Sequence, residues 1–141
     1  MKMTRVFAPG NNSLPASFGL LLLRVWLGLT LLLVHGLDKL THFSETAKAF
    51  GDPIHIGATP SLALVVFAEV GCSALLVLGL VTRFAATVLV INFSVAFFLA
   101  HHMALTGEHN GELAFVYLAG YVALLFAGPG RYSADAALFS K

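Results

Sequence analysis

Charge is scarce in this sequence. Asp, Glu, Lys and Arg make up 11% of the 141 residues, against 58% hydrophobic residues and a mean hydropathy of +0.88. A soluble domain carries about a quarter charged residues. A chain this short and this apolar has too little polar surface to face water on every side, so lipid is its expected solvent. The charge that is present sums to +1, which argues for neither nucleic-acid nor acidic partners. Cysteine is almost absent, with Cys72 alone. One thiol excludes an internal disulfide and an iron–sulfur cluster on four thiolates, and no CxxC is there to carry redox chemistry. Cys72 lies in an apolar run and reads as a small packing residue. The chain also lacks a nucleotide-binding glycine fingerprint and a defensible Ser-His-Asp arrangement. It has neither HxxxH nor ExxH spacing, so no metal site is assigned.

What the sequence does have is four long apolar stretches, at 17–37, 61–81, 84–105 and 112–127, the last being the shortest. About 20 apolar residues cross the hydrocarbon as a helix. None of the four alternates apolar with polar residues as a barrel strand does. The sequence therefore predicts an all-α fold, a bundle of four transmembrane helices forming one domain over 17–128, with tails at 1–16 and 129–141. The first run is too long for a cleaved signal peptide and is read as a retained span. Val81-Thr82-Arg83 makes an antiparallel hairpin of the second and third spans, and TGEHNG turns the chain between the third and fourth. In the loop 38–60, SETAKAF reads as a short helix capped by Ser44, with Glu45 in its first turn and Gly51 as its stop. Pro53 and Pro60 break the chain after it. GPGRYSADAALFSK is expected to lie along the membrane surface. Lys2, Arg5, Arg83, Arg131 and Lys141 on one side, against Lys39 and Lys48 on the other, predict an N-in/C-in chain in the cell inner (plasma) membrane.

Ionisable residues within spans cost several kcal/mol and need a partner, a wet cavity or a function. Arg24 lies roughly 10 Å into span one, and Glu69 lies roughly 20 Å from the inner end of span two. Two readings stand for them: an ion pair with Arg24 that locks two helices, or a proton acceptor at Glu69. Arg24 reaching back to the headgroups is a third. His35, Asp38, Lys39 and His42 share one stripe if the first helix continues past its apolar run. His101 and His102 end the third span at a depth similar to His35. They differ by about 100° on a helix, so one of them faces the centre squarely. Glu108, His109 and Glu112 follow. This polar end suits a quinone, whose two ring oxygens a His and a carboxylate can bond. A haem held by His35 with His101 or His102 is the less favoured alternative. Gly28, Gly71, Gly79, Ala119 and Gly120 read as close-packing positions. Asn92 and Ser94 read as interhelical hydrogen bonders, and Trp26, Tyr117 and Tyr121 as core or belt aromatics.

An ordered set of motifs runs along the chain: Arg24, then HGLDKL at 35–40, EVG at 69–71, GLVTRFAA at 79–86, His102, and GPGRYSAD at 128–135. In this it resembles the DoxX family of membrane proteins. The resemblance covers nearly everything from residue 18 onward, and its specificity lies in the order of the motifs. It implies a four-helix membrane protein associated with redox systems. Some members are the small subunit of a thiosulfate:quinone oxidoreductase, and others belong to oxidative-stress complexes. Arg24, His35, Lys39, Glu69 and His102 carry over as the polar interior set. The function implied is a membrane subunit of a redox complex, quinone-linked, working with a soluble oxidoreductase. A small proton-coupled transporter, or a non-catalytic anchor or assembly factor, are the alternatives. Homo-oligomerisation is compatible with each.

Overall fold

The computed structural model describes residues 12–139. Most of the expected tail 1–16, with Lys2 and Arg5, and Lys141 at the other end lie outside the described residues. The described residues are helical and contain no strand. Three helices are long and apolar enough to cross a membrane: α1 (Leu14–Thr41), α3 (Ala58–Leu78) and α4 (Thr82–Ala100). A short α2 (Phe43–Ala49) precedes α3. The apolar α5 (Glu112–Ala127) has 16 residues, about 24 Å of rise against about 30 Å of hydrocarbon. A final α6 (Ala134–Phe139) ends the described chain.

The helices do not begin and end where the apolar runs do, and in each case a cap explains the difference. Ser13 Oγ accepts from the Ala16 amide and Pro15 presets the first turn, so α1 starts at Leu14 rather than at 17. It continues past 37 through HGLDKLT to Thr41. Pro60 opens α3 from within its first turn, where no amide is needed. α4 stops at Ala100, short of 105, because His102 and Met103 adopt φ of 50° and 60°, which no helix accommodates. Ser44 does not cap α2. The cap position is His42, and it makes no side-chain capping bond.

α1 and α3 run antiparallel and touch closely. A Cβ on Gly36 would stand 2.8 Å from the Glu69 carbonyl oxygen, so only glycine admits this approach of backbones. Lower on the same seam, Gly28 faces Ser73 and Val77. α5 packs along α4 and against α1. The core between them is Leu31, Cys72, Leu76, Ala85, Leu89, Phe93, Tyr121 and Leu124, with Cys72 fully buried. Trp26, Phe126 and Leu78 are 74%, 79% and 62% exposed. Their apolar surfaces face outward, which lipid tolerates and water does not.

The segment after α5 is not a surface turn. It is tied to the bundle where α3 turns into α4. Asp135 is buried, and its two carboxylate oxygens accept from the amides of Val81 (2.7 Å) and Thr82 (2.8 Å), capping α4. Its own amide donates to the Gly79 carbonyl at 2.9 Å. Gly79 ends α3 at φ 70°, and a Cβ there would overlap the Arg24 guanidinium. Arg24, also buried, donates from Nη2 to the Tyr132 carbonyl at 2.5 Å and lies in the field of Asp135. Arg24 therefore does not pair with Glu69. The antiparallel register sets it beside Gly79, and Glu69 is ten residues, about 15 Å, further along α3.

Asp135→Ala is expected to leave two buried amides unsatisfied and to cost about 2 kcal/mol or more, with Asp135→Asn recovering part of the loss. Gly36→Val is expected to push α1 from α3 at a cost of about 1–3 kcal/mol. Thermal unfolding in detergent micelles measures both.

Candidate functional site

Each long helix widens once. Leu31–Gly36 in α1, Phe67–Cys72 in α3 and Val95–Ala100 in α4 are π-helical. A π turn adds one residue and shifts the phase of every side chain beyond it. All three stretches face one cavity of about 360 Å³, contributing Leu31 and His35, Glu69, and Val95, Ala96 and Ala100. That volume is within the range of small-molecule sites.

The strongest interaction on its wall joins α1 to α3. Lys39 Nζ donates to Glu69 Oε2 at 2.6 Å, with the Lys39 side chain 24% exposed and that of Glu69 7% exposed. His35 lies one helical turn before Lys39, so both line the same cavity. Across from them Tyr117 of α5 stacks on Phe93 of α4 at 5.0 Å, and its ring meets His35 edge-on at 6.2 Å. Phe97 and Phe115, 5.0 Å apart, extend the α4–α5 contact. Asn92, His101 and Asn110 add polar groups. The cavity thus combines a cation, a carboxylate, imidazoles, a phenol and amides with apolar walls.

A strap crosses the mouth. Asp52, at φ 41°, accepts from the amides of Ile56 and Gly57 and from the Ser61 hydroxyl, tying the strap to the first turn of α3. This places Phe50 and Pro53 on the cavity wall. The Ser61 hydrogen bond, helped by the two amides, holds the Asp52 carboxyl below its usual range. A depressed carboxylate stabilises the fold above its unfolded pKa. That support is lost as pH falls through the lower folded value.

The DoxX family matches residues 19–102, which takes in most of α1, all of α3 and α4, and the Lys39–Glu69 pair. The chain belongs to the DoxX family. An uncharacterized protein of Haemophilus influenzae is 30% identical over 118 residues, covering 77% of this chain and 83% of the relative. No solved structure matches. Family membership, together with three helices of spanning length, makes this DoxX-family chain an integral membrane protein.

Within this DoxX-family chain the polar residues singled out from sequence divide. His35, Lys39, Glu69 and His101 line the cavity. Arg24 belongs to the junction with Tyr132 and Asp135 at the far end. Asp38 is exposed and pairs with His42 Nδ1 at 3.2 Å, so the expected four-residue stripe splits in two. His102, turned out by its positive φ, meets His109 at 5.5 Å instead. Glu112 is exposed and lines a separate shallow depression with Asn110 and Val116. Asn92, read from sequence as an interhelical hydrogen bonder, and Tyr117, read as a core or belt aromatic, line the cavity. A lone amide within an apolar run was the signal for Asn92. Asp52 had one too, since Asp-Pro commonly opens a turn.

Removing one partner of a fully buried ion pair costs roughly 3–5 kcal/mol, and less where one partner is part exposed. Lys39→Met is expected to destabilise the protein by about 2–3 kcal/mol through the stranded Glu69 carboxylate. Lys39→Met combined with Glu69→Leu is expected to restore most of that loss. Thermal midpoints of the two variants in one detergent compare them.

Proposed function

We propose that this DoxX-family protein is a membrane subunit of a redox complex and that its cavity holds the head of a quinone. The observation that carries this reading is the Lys39–Glu69 pair on the wall of a roughly 360 Å³ cavity that His35, Asn92, His101 and Tyr117 also line. A quinone ring is flat, apolar on its faces and polar at two opposed oxygens. Stacked aromatics and aliphatic walls suit the faces, and ammonium, imidazole and amide donors suit the oxygens.

A quinone takes up two electrons and two protons on becoming a quinol. The residues have separate parts in this. Lys39 Nζ would donate a hydrogen bond to a ring oxygen and offset charge gathering there. Glu69, in contact with Lys39, would pass one of the two protons from its carboxyl, and the other would come from the loop side past His101. His101, at the end of α4, connects the cavity to the polar loops. The electrons come from a soluble oxidoreductase docked on the membrane.

The wider arrangement proposed is four spans in one domain over 17–128, N-in and C-in, in the inner membrane. α5 is the short fourth span, and its packing along α4 supports that count. The distribution of Lys and Arg supports the orientation.

Protein purified in detergent is expected to retain about one quinone per chain, measured by solvent extraction and mass spectrometry. Lys39→Met and Glu69→Gln are each expected to lower that content at least tenfold. Quinone no more abundant than in an unrelated membrane protein purified alongside would end the proposal.

A further inference from the structure

A second hollow adjoins the cavity. It lies between α3 and α4, has a volume of about 310 Å³, and shares Phe50, Pro53, Val65, Asn92 and Val95 with the first. Its other walls include Leu64, Phe67 and Ile91, which are 54%, 51% and 59% exposed on the outer face of the helices. The two hollows differ in chemistry. The first is lined by the ion pair and the histidines; apart from Asn92 and Ser61, the second is lined by apolar side chains.

The neighbouring seams of the bundle are shut at this level. Between α1 and α3, Gly36 lies against the Glu69 backbone and Lys39 bonds Glu69 just beyond. Between α4 and α5, Phe93 stacks on Tyr117 and Phe97 packs on Phe115. The α3–α4 seam holds the second hollow, between Leu64, Val65, Phe67 and Ala68 of α3 and Val88, Ile91, Asn92 and Val95 of α4.

We infer that the α3–α4 groove is the lateral entrance of the site and seats the long apolar tail of the quinone whose head occupies the cavity. This rests on the quinone reading above. A long-chain quinone resides in the hydrocarbon, and an approach from the aqueous mouth would drag its tail through water against the hydrophobic effect. Entry through Leu64, Phe67 and Ile91 keeps the tail in apolar surroundings throughout. Asn92, common to both hollows, stands where the ring gives way to the chain. Phe50 and Pro53, held by the Asp52 strap, roof both compartments, so one loop covers head and tail together.

The test uses the full chain in lipid nanodiscs and a benzoquinone carrying a decyl chain that ends in a diazirine. After irradiation, labelled residues are mapped by peptide mass spectrometry, with and without excess of the same quinone lacking the chain. The expected result is label concentrated on Leu64, Phe67, Val88 and Ile91, reduced at least tenfold by the chainless competitor. Ile91→Trp, a change on an exposed face, is expected to lower groove labelling at least fivefold while leaving retention of the chainless quinone unchanged. Label that is competed but falls elsewhere, for instance beside Trp26 or Phe126, overturns the groove and leaves the head site standing. Label that the chainless quinone does not displace anywhere overturns the head site and the groove with it.

Discussion

The Lys39–Glu69 ion pair is the constraint around which this molecule is arranged. Lipid surrounds most of the chain, and a carboxylate on a spanning helix is tolerated only with a partner. The partner comes from α1, and this fixes how α1 and α3 lie against each other. Gly36 then becomes obligatory, because the backbones meet where the pair forms. The pair also fronts the cavity, and the residues opposite it are a stacked tyrosine and phenylalanine.

At the opposite end a second polar junction ties the chain together. Arg24, Tyr132, Asp135 and Gly79 join three separated segments through backbone groups. The two junctions share a logic, since each gives partners to polar groups that lipid would leave stranded, Lys39 to Glu69 and Asp135 to the Val81 and Thr82 amides. They differ in what lies beside them. Gly79 and the tail crowd Arg24, whereas Glu69 fronts open volume. That difference, and not the charge alone, separates a structural arginine from a candidate site.

Much of the architecture was legible because it depends on composition. Long apolar runs without alternation gave helices, and the resemblance carried by Arg24, HGLDKL and EVG led to the DoxX family that the chain belongs to. The pairing of charges was not legible. Arg24 and Glu69 looked like partners when depth was counted from the ends of apolar runs, but caps at Ser13, Val81 and Asp135 set the true register. π stretches hid the site for a similar reason. A regular helix advances about 100° per residue, and the extra residue in each π stretch shifts the phase of every side chain beyond it. His101 and His102 could not be told apart until the backbone showed which of them leaves the helix. Asp135 makes its bonds more than fifty residues away, beyond any local pattern.

The placement of the ion pair on the cavity wall has an energetic corollary. Attraction between opposite unit charges at 4 Å is about 1 kcal/mol in bulk water and about 4 kcal/mol at an effective dielectric constant of 20. Water admitted to the cavity would screen Lys39 from Glu69, and an apolar occupant in its place would strengthen their attraction. An apolar filling of the chamber would thereby tighten the clasp between the first two long helices, and its loss would slacken the same clasp. Occupancy and rigidity would then be one linked equilibrium.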